Sequence, residues 1–89
     1  MPKFPLGRLV ATPGALSELG RVGASPEELI NRHAQLDQGA LDAHDHKLNV
    51  SAVEHGDRVF SSFVYGGVKF WVITEWNRSQ TTIMLPEDY

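Results

Sequence analysis

The chain has 89 residues, 42% hydrophobic and 21% charged, which fits one small core and does not suggest disorder. Cysteine is absent, which excludes disulfides and thiolate metal sites and suits a reducing cytoplasm. The net charge of −3 argues against direct DNA or RNA binding, which relies on clustered Lys and Arg.

Residues 1–12 read as an irregular arm with a short extended piece at Arg8–Ala11. The stretch "MPKFPLGRLV" contains two prolines and no apolar h-region, so no signal peptide is expected. No apolar run approaches the roughly 20 residues of a membrane span. Thr12-Pro13 reads as an N-cap followed by the first helical position, with Leu16 and Leu19 three apart and Gly20 or Gly23 as the stop. Ser25-Pro26-Glu27-Glu28 predicts a second helix opened by a capping box. Leu29, Ile30, His33 and Leu36 then follow at helical spacing, and Gly39 is the expected terminator. A third helix is expected to start at Asp42 and end near His55, where Gly56 can take the left-handed cap conformation.

From Arg58 the chain turns rich in Val, Phe, Trp, Ile and Thr. Gly66-Gly67 is a two-residue hairpin turn of the type that needs positive φ, and Asn77-Arg78 lies in a second turn. The expectation is a single α+β domain over 1–89, with an arm (1–12), a helical part (13–56) and a meander (58–86). Three short N-terminal helices would pack on one face of a three-stranded antiparallel sheet.

The turns fix a register. Gly66-Gly67 sets Tyr65 opposite Val68, Phe63 opposite Phe70 and Val59 opposite Thr74, with Arg58 opposite Glu75. The second turn sets Thr74 opposite Thr81 and Val72 opposite Ile83. Opposed residues share a face. Val59, Ser61, Phe63, Phe70, Val72, Thr74, Thr81 and Ile83 then face the helices. Arg58, Phe60, Ser62, Val64, Trp71, Ile73, Glu75, Thr82 and Met84 face the other way. Helices of this size cover one face of such a sheet, so the second face needs another cover. The arm through Phe4, Leu6 and Leu9, a second copy of the chain, or another protein would serve.

Three kinds of chemistry come into question. Glu75, Arg58 and Arg78, with His33 as an acid, contain the groups for metal-free RNA cleavage. The competing reading is a cross-strand Arg58–Glu75 ion pair beside a solvated Arg78. In "DAHDHK" (42–47), His44 and His46 stand two apart and point to different helix faces, so no metal site is expected; His33 and His55 complete no recognised ligand spacing. No serine sits in a nucleophile frame and no glycine-rich phosphate loop precedes a helix, so no cofactor is expected.

The stretches "FPLGRLVATPGAL", "DRVFSSF" and "WVITEWNRSQTTIMLPEDY" resemble a family of small bacterial plasmid-related proteins, found on plasmids and integrated elements. The resemblance spans nearly the whole chain. The family's pattern includes a histidine followed by Gly-Asp-Trp-Gly. Here His33, Asp37 and Gly39 match, while Leu36 and Gln38 replace the first glycine and the tryptophan. The resemblance implies a mobile-element setting, in which small acidic proteins block host defences, act as toxins or regulate transfer.

Two functions therefore stand side by side. One is a non-enzymatic interaction module that inhibits a host defence nuclease of restriction or CRISPR type. It would bind a larger, nucleic-acid-binding bacterial protein, or itself as a homodimer, through Phe60, Val64, Trp71, Ile73, Met84 and Arg78. The alternative is a small ribonuclease toxin using Glu75, Arg58, Arg78 and His33. DNA regulation through a helix ranks below both, because no helix has a basic face.

Overall fold

The computed structural model describes residues 4–36 and 43–89. It is an α+β fold with the order β1 (Arg8–Ala11), α1 (Pro13–Val22), α2 (Pro26–Ala34), α3 (Ala43–His55), β2 (Val59–Tyr65), β3 (Val68–Thr74) and β4 (Gln80–Met84), closed by a short 3-10 turn at Pro86–Asp88. Among the described residues, no helix is long and apolar enough to cross a membrane.

Local chemistry explains the helix ends. Thr12 is the N-cap of α1: its hydroxyl accepts the Ala15 N–H at 3.2 Å, and Pro13 occupies the first turn, where its missing donor costs nothing. Gly23 ends the helix in the left-handed conformation (φ 72). The capping box expected at α2 does not form. The Ser25 hydroxyl instead donates to the Glu27 carboxylate at 2.6 Å, and no side chain caps the helix. That bond holds Glu27 below the usual carboxylate range. α2 also stops earlier than the spacing suggests, at Ala34, with Leu36 at φ 57. Leu36 packs against the cluster of Phe4, Ala52 and Val59 rather than extending the helix. The expected stop at Gly39 and the expected start at Asp42 lie outside the described residues.

The antiparallel register is the one the turns dictate. Val59 pairs with Thr74, Phe63 with Phe70, Thr74 with Thr81 and Val72 with Ile83. Gly66 and Gly67 both have positive φ (58 and 79), as a tight hairpin turn requires.

The three-stranded meander needs one correction: the sheet has four strands and is mixed. The arm residues Arg8–Ala11 pair in parallel with β4, giving the order β1-β4-β3-β2. β4 would otherwise expose an unpaired edge, and the arm supplies the missing partner. Gly7 makes this possible. At φ 68 it presses against the second hairpin, and a Cβ there would lie 2.3 Å from the Arg78 carbonyl oxygen.

Ala15, Leu19, Leu29 and Ile30 of α1 and α2 bury against Phe63, Phe70, Val72 and Ile83 of the sheet. Full burial of each large side chain contributes about 1.5–3 kcal/mol. α3 attaches at the β2 edge. The Asn49 amide donates to the Phe60 carbonyl and accepts the Phe60 N–H at 3.0 Å, so it pairs with that edge as a neighbouring strand would.

Candidate functional site

On the helix side, polar residues sit where the register places core residues. His33 is 0% exposed on α2, an amphipathic helix whose apolar face also carries Leu29 and Ile30. Its Nδ1 lies 2.7 Å from Ser61 Oγ and its Nε2 lies 2.8 Å from Thr74 Oγ1. Thr74 Oγ1 lies 2.6 Å from Thr81 Oγ1, and the Thr81 hydroxyl donates to the Leu6 carbonyl at 2.7 Å.

That last bond orients the whole chain of hydrogen bonds. A carbonyl only accepts, so the Thr81 proton is committed to Leu6. Thr81 must then accept from Thr74, and Thr74 must accept from His33 Nε2–H. In the neutral ring the single proton is therefore on Nε2, and Nδ1 accepts from the Ser61 hydroxyl. Burial, and secondarily the Arg78 charge, push the His33 pKa down to about 4. Protonation would place a second donor against the Ser61 hydroxyl and a cation in the core. The Phe4 ring packs edge-on to the imidazole at 5.3 Å, completing the seal.

The four residues of the catalytic reading are not brought together. His33 is enclosed in the core. By register, Arg58 and Glu75 belong to the opposite face. The expected Arg58–Glu75 ion pair is absent, and Arg58 donates instead to the Tyr89 hydroxyl at 2.9 Å. Arg78 does not project beside the second face. Its guanidinium folds back to donate to the carbonyls of Asp57 (2.6 Å), Glu75 (3.2 Å) and Ala52 (3.3 Å), and it stands 5.6 Å from the Phe4 ring centroid. It ties the second turn to the end of α3, adding a donor to the Ala52 and Glu75 carbonyls, which also accept the Asp57 N–H (2.8 Å) and the Arg78 N–H (2.9 Å).

Both His33 nitrogens are engaged, and His55 Nδ1 is held by the Ser51 carbonyl at 2.9 Å. Among the described residues, no group of three His, Asp or Glu side chains converges on a metal position. The side chains of residues 42–46 lie outside the described set.

The face turned away from α1 and α2 is aromatic. Phe60 and Trp71 meet edge to face at 5.1 Å, and Trp71 meets Tyr89 likewise at 5.8 Å. The Arg58 guanidinium lies 5.5 Å from the Tyr89 centroid. Phe60, Trp71 and Met84 are half-buried, and Val64 is 52% exposed. Ile73, expected as an interface residue, is 1% exposed and so supports this surface without belonging to it. The arm does not cover the face: Phe4 and Leu6 pack on the helix side. Tyr89 partly covers it instead, with its turn anchored by Asp88, which accepts from the Thr12 hydroxyl at 2.7 Å and the Leu85 N–H at 3.1 Å. These two bonds hold the Asp88 carboxyl below its usual range.

Comparison with known proteins finds no matching family model, no matching curated protein and no matching solved structure.

The buried network was the main feature the sequence reading missed. Its signal was present in the register, which put Ser61, Thr74 and Thr81 on the core face beside a helix bearing His33. Three hydroxyls at core positions require a buried partner.

Proposed function

We propose that the chain is a non-enzymatic protein-interaction module that docks a larger protein through the Phe60–Trp71–Tyr89 face. One observation carries this reading: an aromatic row of half-buried Phe60 and Trp71 with exposed Tyr89 lies on one side of the sheet, while the histidine that could do chemistry is sealed on the other with both nitrogens in use. Trp, Tyr and Arg are the residues that dominate binding energy at interfaces.

The rim of the face refines the partner. By register it carries Arg8, Arg58 and Lys69 against Glu75, a local positive excess on a chain of net charge −3. The complementary surface is apolar at its centre and acidic around it. The resemblance to plasmid-related proteins adds a setting, in which the target is a host defence nuclease of restriction or CRISPR type held at a surface of that character. The ribonuclease reading has no comparable support: Arg78 bonds the Glu75 backbone carbonyl rather than its carboxylate, and His33 is sealed in the core with both nitrogens in use.

The test is capture of partners from a bacterial lysate by the full chain and by Trp71→Ala, with the fold of each monitored by circular dichroism. A truncated hot spot costs about 2 kcal/mol or more, roughly 30-fold in affinity. A partner held by the parent and lost by a folded Trp71→Ala supports the face. Retention of every partner by Trp71→Ala and Tyr89→Ala would contradict it.

A further inference from the structure

The two edges of the sheet are treated differently. On the β2 edge, the Asn49 amide pairs with the N–H and C=O of Phe60. Among the described residues, β1 has no neighbour on its outer side. Arg8 N–H donates to Ser79 at 3.1 Å and Thr12 N–H donates to Ile83 at 3.0 Å, so the even-numbered residues point their backbone at β4. Leu9 and Ala11, between them, point their N–H and C=O groups outward.

Their side chains lie on the helix side, level with Thr81 and Ile83. There they border an open apolar groove of about 410 Å³, walled by Leu16, Pro26 and Ile30. Leu9 is 56% exposed and Leu16 51%. A free strand edge beside an apolar groove is the arrangement that accepts an added strand.

We infer that the added strand is β1 of a second copy of this chain. Antiparallel pairing about a two-fold axis at Val10 places Leu9 opposite the second copy's Ala11, and Ala11 opposite the second copy's Leu9. These are the residues whose backbone groups face outward, so both pairs close hydrogen-bonded rings. Opposed residues share a face, so each Leu9 lands on the helix side of its neighbour, beside the small Ala11 and over the groove. A large residue meets a small one twice, which is the self-complementarity a two-fold interface requires. The result is one continuous eight-stranded sheet. This surface is distinct from the Trp71 face, which stays open on both copies and on the same side.

Sedimentation equilibrium of the full chain tests this from micromolar to about 1 mM, together with amide hydrogen exchange at both ends of that range. The mass should rise toward twice the 9.9 kDa of one chain, and the Leu9 and Ala11 amides should gain protection with concentration. Leu9→Lys, a charge at the strand edge, should weaken association by at least about tenfold, while Trp71→Ala should associate as the parent does. A mass that stays at one chain, a dimer indifferent to Leu9→Lys, a dimer abolished by Trp71→Ala, or Leu9 and Ala11 amides unprotected in the dimer would each overturn the inference. Should Leu9→Lys fail to fold, the exchange of those two amides in the parent chain decides.

Discussion

β2, β3 and β4 present alternate residues to two unlike environments. On the helix side the strands carry hydroxyls, and those of Ser61, Thr74 and Thr81 are paired and closed to water. On the far side they carry Phe60, Trp71 and Met84, half-buried. The usual distribution, apolar inside and polar outside, is partly exchanged between the faces. Polar groups are stable inside only when every donor and acceptor is matched, and aromatic groups persist outside where there is something to bind. The residues most easily mistaken for chemistry are thus bonded into the core, while the aromatic residues lie on the side that the proposed contact would use.

The strongest way to break this contrast is His33→Ala. It leaves a cavity, takes the acceptor from the Ser61 hydroxyl and removes one of the two partners of Thr74, at a cost of about 3–5 kcal/mol. Urea denaturation should show most of the stability gone. A loss below about 1 kcal/mol would mean the network is not closed.

Acid acts on the same group without mutation. The folded pKa lies near 4, below the ordinary 6.5. Between those values the unfolded chain binds a proton that the folded chain refuses. Stability is therefore fully present above about pH 6.5 and falls as the pH drops toward 4, by about 3 kcal/mol at about 1.4 kcal/mol per pH unit. Thermal melts across that window should show the fall, and the parent's dependence should flatten in His33→Gln.

Gly7→Ala probes how the arm is held. A Cβ would strike the backbone at Arg78 and Ser79 and also meets a positive φ. A loss of about 2–3 kcal/mol is expected, with early amide exchange across β1. Asn49→Leu should cost less, about 1–2 kcal/mol, by uncapping the Phe60 edge.

The smallest expected effect lies on the aromatic face. Trp71→Phe keeps the apolar contact and should change stability by less than about 1 kcal/mol. Large destabilisation would show that the indole holds the fold rather than awaiting a partner.

The antiparallel register was legible because turn chemistry is local. Gly66-Gly67 fixes one hairpin, and the alternation of Phe63, Phe70 and Val72 with Phe60 and Trp71 fixes which side is core. Thr12 and Gly23 were legible as caps for the same reason. The parallel pairing of β1 with β4 was not, since Leu9 and Thr81 meet across the full fold and four residues of extended chain carry no signal of their partner. The turned-back Arg78 and the Tyr89 cover were equally hidden, because a long side chain's direction depends on carbonyls and rings brought close only by folding. Legibility at the site thus divided by range: the face of Trp71 followed from neighbours, while the partners of His33 followed from the assembled sheet.

The most direct test is the His33 imidazole itself, followed by nitrogen-15 NMR in the folded protein as the pH falls from 8. A neutral ring with its proton on Nε2, persisting until the pH approaches about 4, is the expected result. A ring that protonates near the ordinary value of 6.5 and exchanges freely with water would contradict it, and would return His33 to the candidates for chemistry.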